Sequence, residues 1–237
     1  MKIGIFDSGL GGMNVLKQLI EKYPNNEYIF YGDTINLPYG EKSKQQLIDI
    51  STKIVNFFEQ LKVNIIIVAC GTVSSNAFKE LKLISKIPII NILDYTINYI
   101  NKRYKKIGVI GTKGTIESKY FEKNLKNLQV QTLATPLLVP LIESNKIDTL
   151  EFNQVLNKYL EKFKNIEVLV LGCTHYPLFK NKVKFKTIDM GEILVNNLKL
   201  TNNSKFNLIM YFSLLNNDII KNVNKMFGKC QIIERVL

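Results

Sequence analysis

The chain has 237 residues, 46% of them hydrophobic, with one histidine, three cysteines and no tryptophan; that is enough for one large or two small domains, but not for a disulfide framework, a multi-histidine metal site or a zinc ribbon. Its net charge is +12, yet Arg103 and Arg235 are its only arginines; phosphate and base recognition leans on arginine forks, so the lysines read as a solvated surface that attracts small anions, with no nucleic acid expected to be needed for activity. No window approaches 18 uninterrupted apolar residues, and the opening run meets Asp7 too early for a signal peptide, so no membrane association is expected and the expected compartment is the cytoplasm.

Short apolar runs alternate with helical periods. Residues 2–6 predict a buried strand, and residues 12–20 a helix with Met13, Leu16, Leu19 and Ile20 on one face. A second strand is expected over 28–31, an amphipathic helix over 45–61, and a third strand over 64–69, apolar enough to be central in a parallel sheet. A helix over 74–83 and a strand over 87–93 follow. Strands alternating with helices imply βαβ units and parallel sheets covered on both faces.

The pattern then restarts. Residues 2–8 align with 106–112 at an offset of 104, residues 57–62 with 159–164 at 102, and residues 64–70 with 167–173 at 103. Three segments at nearly one offset predict two similar α/β halves. No linker rich in proline, glycine or serine separates them, so the boundary is expected to be a packed crossing near 93–99. The last thirty residues exceed what the second half needs and are expected to return to the first. The expected domains are therefore 1–94 plus 207–237, and 95–206.

In open α/β sheets, functional groups sit beyond the carboxyl ends of the strands. The first such turn, Asp7-Ser8-Gly9-Leu10-Gly11-Gly12, lacks the spacing of a dinucleotide or phosphate loop. It offers instead a carboxylate, a hydroxyl and backbone amides at a helix N-terminus, or simply a helix cap. Asn36-Leu37-Pro38-Tyr39-Gly40 is a second polar loop, by itself readable as a structural turn. Cys70-Gly71-Thr72 and Cys173-Thr174-His175-Tyr176-Pro177 end strands at equivalent repeat positions, and His175 is the sole histidine. A lone cysteine there is ordinarily a small core residue. Two at equivalent positions place both thiols on opposite sides of one cleft if the halves face each other. One thiolate can then remove a proton from carbon and the other thiol return one to the opposite face, inverting a stereocentre without a cofactor. A redox pair, a Cys–His nucleophile and inert packing are the alternatives; the first ordinarily uses Cys-x-x-Cys spacing and the second needs no second cysteine. Glu143 reads by itself as a surface acid or cap, and Cys230 as structural.

Together the motifs resemble the glutamate racemase family, part of the larger aspartate/glutamate racemase group. Those that carry the resemblance are Phe6 to Gly12, Tyr31-Gly32-Asp33 with Leu37 to Gly40, Ala69 to Thr72, Val139 to Glu143 and Gly172 to Pro177, in family order. The resemblance implies an α/β fold of two pseudo-symmetric Rossmann-like domains with parallel sheets and an active site in the interdomain cleft. It implies cofactor-independent, metal-free interconversion of L- and D-glutamate, supplying peptidoglycan synthesis, by a protein that is commonly a homodimer. Carried over, Cys70 is the base toward D-glutamate and Cys173 the base toward L-glutamate, each the acid in the reverse direction. Asp7 and His175 assist proton transfer, with Glu143 adjoining His175. Asp7, Ser8, Pro38, Tyr39, Gly40, Gly71, Thr72, Thr174 and His175 are the implied substrate-binding residues.

Two positions depart from the family pattern: Gly71, where asparagine is usual, and Met190, where serine is common. Losing a buried hydrogen bond to a charged group costs about 1.5–3 kcal/mol, or roughly one to two orders of magnitude in binding or rate. Another amino acid such as aspartate is accordingly the alternative substrate.

Overall fold

A computed structural model describes residues 1–202 and 205–237 of the protein. The first half opens with β1 (Lys2–Asp7), α1 (Gly12–Lys22), β2 (Glu27–Gly32), α2 (Lys44–Gln60) and β3 (Ile65–Val68). It continues through α3 (Gly71–Asn76), α4 (Phe78–Ile84), β4 (Ile89–Asn91) and α5 (Ile92–Asn101). The second half runs β5 (Lys106–Gly111), α6 (Lys113–Glu117), α7 (Tyr120–Asn124), β6 (Gln129–Ala134), α8 (Leu138–Glu143), α9 (Leu150–Leu160), β7 (Val168–Leu171), β8 (Thr187–Asp189) and α10 (Met190–Asn197). A 3₁₀ segment, Tyr176–Lys182, links β7 to β8, and β9 (Asn207–Phe212), α11 (Asn217–Phe227) and β10 (Gln231–Glu234) close the chain.

The strands form two parallel sheets, ordered β10-β9-β2-β1-β3-β4 and β6-β5-β7-β8. Within each, the strand that opens the half lies between the second and third strands of that half, so the sequence repeat is also a repeat of topology. The C-terminal segment does return to the first sheet, where β9 pairs with β2. A capping box starts α2, with the Ser43 hydroxyl accepting from the Gln46 amide and the Gln46 side chain accepting from the Ser43 amide. Among the described residues, no helix is long and apolar enough to cross a membrane.

Two expectations need correction. The helix expected over 74–83 is two short helices broken at Ala77. Ser75 Oγ and Asn76 Nδ2 both donate to the Thr72 carbonyl, at 3.1 and 2.9 Å. Such local bonds compete with the helical ladder and turn the chain. The strand expected over 87–93 is only Ile89–Asn91, because the Asn91 side chain accepts from the Leu93 amide and caps α5. Ile92 and Leu93 continue the apolar run as the buried first turn of a helix.

Three apolar clusters hold the layers. One lies between the sheets and joins Ile3 and Ile5 of β1 to Val109 of β5 and Val170 of β7 through α1, α5 and α10. The other two cover the outer faces of the sheets, under α2 to α4 and under α8 and α9. Because the central cluster belongs to both halves, it fixes how the halves meet. Polar ties reinforce it: Gln18 reaches Asp189 at 3.3 Å, and Lys22 Nζ donates to the Val195 carbonyl at 2.8 Å.

The outer face of the first sheet shows how sequence dictates packing. Gly4 has no side chain, and a Cβ there would stand 3.0 Å from the Phe58 ring. The ring therefore lies flat on β1, beside Phe6 and Phe57. Phe58 is fully buried, so Phe58→Ala should lower unfolding free energy by about 3–5 kcal/mol, measured by urea denaturation followed by circular dichroism.

Candidate active site

The carboxyl ends of β1, β3, β5 and β7 open onto one cleft of about 290 Å³ between the halves, at the small end of ligand sites. Cys70 enters from the β3 end as the residue that precedes α3, and Cys173 from the β7 end. Both are free thiols and almost fully buried. Every residue that the sequence pointed to lines the cleft except Asp7, which is fully buried beneath it at the end of β1. Cys230 lies elsewhere, half-buried just before β10.

Asp7 is anchored rather than free. Its Oδ2 accepts from the Gly12 amide at 2.8 Å, at the start of α1, and Thr174 Oγ1 donates to its two oxygens at 3.3 and 3.4 Å. Thr174 comes from the other half, so the carboxylate spans the cleft floor. Gly11 makes this possible: a Cβ there would collide with Thr174 and lie 2.6 Å from His175 Nδ1. Asn14 Nδ2 adds a bond to the Thr174 carbonyl at 3.1 Å.

On the Cys173 side, His175 Nδ1 stands 3.6 Å from the thiol sulfur, and its Nε2 3.2 Å from Glu143 Oε1. Glu143 ends α8 with its carboxylate turned to the histidine. The three side chains form a line from the thiol to the cleft rim, able to exchange a proton with Sγ through the imidazole. On the Cys70 side, Ser8 faces the thiol, and Tyr39 and Gly40 present a hydroxyl-bearing wall. Tyr39 OH donates to Asp33 Oδ2 at 2.6 Å, and Asn36 Nδ2 donates to both oxygens of the same carboxylate.

A family model described as Asp/Glu/Hydantoin racemase matches residues 7–198. The chain belongs to that racemase family. A curated glutamate racemase from Aquifex aeolicus is 36% identical over 241 residues, covering 97% of this chain and 95% of the relative. The crystal structure of a glutamate racemase isoform from Bacillus anthracis superposes with a TM-score of 0.90 at 28% identity, covering 99% of this chain and 97% of that one. A glutamate racemase from Francisella tularensis, solved in complex with D-glutamate, gives 0.86 at 28% identity, with coverage of 99% and 97%. An aspartate racemase from Picrophilus torridus, at 19% identity and 0.64 over 82% of this chain and 90% of its own, shares the fold alone.

Sequence reasoning missed four contributors to this racemase cleft. Thr112 exchanges a hydrogen bond with Thr72 across the halves at 2.9 Å and with Thr115 at 2.9 Å. Its signal was present, since the repeat aligns Thr112 with Ser8. Asp33, which orients Tyr39, sat in a quoted motif without a role. Pro136 closes the wall beside Glu143 with no sequence pattern to single it out, and Pro140 sat in the Val139 to Glu143 motif without a role.

Burial and the nearby Asp7 carboxylate push the Cys70 thiol up to about 12, although the Val73 amide and Ser8 hydroxyl offset part of this. Burial alone would lower His175, but its bonds to Cys173 and Glu143 outweigh that and raise it to about 10. Burial also raises Asp7, against the opposing pull of His175 and the Gly12 amide. Raised this far, the Cys70 thiol keeps its proton at neutral pH.

The Cys70 shift has a consequence for stability. An unfolded cysteine titrates near 8.5, so between there and about 12 the unfolded chain loses a proton that the folded chain keeps. Stability is full below that window and falls as pH rises through it, by roughly 2 kcal/mol near pH 10. Cys70→Ala should therefore flatten the alkaline fall in melting temperature relative to the parent. Identical slopes for the two proteins above pH ~9 would contradict the assignment.

Proposed function

We propose that the chain is a glutamate racemase that interconverts L- and D-glutamate without a cofactor, using Cys70 and Cys173 as opposed bases. The observation that carries this reading is the pair of free, buried thiols at equivalent strand ends of two repeated sheets, lining one cleft. Its support includes the near full-length similarity to the Aquifex aeolicus glutamate racemase.

The thiolate on one side takes the α-proton and becomes a thiol, leaving a carbanion whose charge spreads onto the α-carboxylate. The thiol on the other side gives its proton to the opposite face and becomes the thiolate. Cys70 serves as the base toward D-glutamate and Cys173 as the base toward L-glutamate. Each is the acid in the reverse direction, and the cycle closes by exchange with solvent. His175, backed by Glu143, carries protons to and from Cys173 over the 3.6 Å contact. Asp7, held beneath the cleft, favours the substrate ammonium through its charge and assists transfer at Cys70. Ser8, Thr72, Thr174 and the loop of Pro38, Tyr39 and Gly40 hold the carboxylates through hydroxyl and amide donors, which stabilise developing charge most in a site sheltered from water. The lysine-rich surface draws the anionic substrate inward.

In this reading, residues 1–94 with 207–237 and residues 95–206 form the two domains. The enzyme works in the cytoplasm as a homodimer, and its D-glutamate enters peptidoglycan. The substrate is glutamate rather than aspartate, because the aspartate racemase likeness extends to fold alone.

Proton NMR in deuterium oxide tests the reaction. With purified protein and no added cofactor, the α-proton signal of either glutamate enantiomer should disappear, while that of aspartate persists. Absence of washout from both glutamate enantiomers would refute the assignment. Cys70→Ser and Cys173→Ser should each cut racemisation by at least about a hundredfold, in line with loss of a general acid–base group. Cys230→Ser should leave it unchanged.

A further inference from the structure

Gly71 and Met190 meet in space. Gly71 is the first residue of α3, directly after Cys70, and Met190 is the first residue of α10, in the other half. A Cβ built on Gly71 would lie 2.7 Å from the Gly172 carbonyl oxygen and 3.7 Å from the Met190 methyl carbon. Gly172 is the residue immediately before Cys173. The peptides that carry the two thiols therefore abut, backbone against backbone, with a thioether methyl against the same spot.

The Gly172 backbone is not free to yield, and the methionine is packed in. The Gly172 amide donates to the Ile110 carbonyl at 2.8 Å, and a Cβ on Gly172 itself would sit 2.6 Å from that oxygen. Its segment is therefore pinned to β5. Met190 is 1% exposed. Its helix is capped by Asp189, whose Oδ1 accepts from the Gly191 amide at 2.8 Å and whose Oδ2 is held by Gln18. A side chain at position 71 would force the Cys70 and Cys173 peptides apart, and any atom beyond its Cβ would press on the methionine.

We propose that Gly71 and Met190 are a coupled positioning pair that sets the spacing between the Cys70 and Cys173 thiols. The glycine permits backbone contact between the two strand ends, and the methionine fills the volume that a longer residue at 71 would take. The two departures thus compensate each other sterically. Neither residue is argued to act on the reacting atoms. The activity readout rests on the racemase reading above, whereas the packing readout does not.

Four variants test the pair: Gly71→Ala, Gly71→Asn, Met190→Ser and the double variant Gly71→Asn/Met190→Ser. Overpacking of this kind should reduce kcat in Gly71→Asn by about tenfold to a hundredfold, with a smaller change in KM. Gly71→Ala should fall between that variant and the parent. In deuterium oxide, the ratio of inversion to α-proton exchange should drop, because a wider gap still permits abstraction at one thiol but slows delivery from the other. A merely structural fault would leave that ratio unmoved. Met190→Ser opens room beside position 71, so the double variant should regain at least about fivefold in kcat over Gly71→Asn, with part of the lost ratio.

A Gly71→Asn kcat within about twofold of the parent, or a double variant no better than Gly71→Asn, would overturn the proposal. If the parent does not racemise glutamate, the functional reading fails separately. The pair is then decided by melting temperatures: a double variant more stable than the two single losses predict upholds the coupling, and simple addition refutes it.

Discussion

The carboxyl ends of two parallel sheets must approach closely enough that backbone touches backbone, and much of the site follows from that approach. At several places the chain omits a side chain where the halves meet, among them Gly11 against Thr174 and His175, Gly40 against Thr112, Gly71 against Gly172, and Gly114 against Gly40 and Thr72. Each omission lets a polar group from one half serve the other. Thr174 bonds Asp7, Thr112 bonds Thr72, and Asn76 donates to the Gly114 carbonyl at 3.0 Å. The shared apolar cluster of α1, α5 and α10 holds the halves in that register. A close-packed interior resists continuous deformation, so the thiols inherit their placement from layers well behind them.

Such closeness makes the electrostatics consequential. Asp7, Cys70, Cys173 and His175 are all nearly or fully buried within one small volume. A buried charge is tolerated only when paired and hydrogen-bonded. Asp7 meets this through an amide at the N-terminus of α1, His175 through Glu143, and Asp33 through Asn36 and Tyr39. The Cys70 thiol keeps its proton, because burial and the Asp7 carboxylate both disfavour the thiolate. An incoming ammonium group would favour the thiolate, so substrate binding and thiol activation are expected to be linked.

The asymmetry between the two sides has a structural origin. Both cysteines end central strands, but the β3 end continues directly into α3, whereas the β7 end continues through His175 into a 3₁₀ segment. The second path places an imidazole beside the sulfur. The repeat accordingly supplies two thiols, and the difference between the following turns supplies two environments. A strict internal copy would have given one.

The chain's own letters were sufficient for the alternating βαβ order, the near-constant offset between halves, and the placement of Asp7, Cys70 and Cys173 at strand ends. These depend on local periodicity and on chain direction, which a linear reading contains. Local hydrogen bonding overrode periodicity at Ala77, where Ser75 and Asn76 turn the helix, and at Asn91, whose side chain ends a strand that its apolar neighbours would prolong. The orienting role of Asp33 and the contact of Met190 with Gly71 were decided only by tertiary structure. Each joins residues far apart in the chain or turned by a loop, and side-chain distance across a cleft is set by how whole layers pack. No one-dimensional spacing records that.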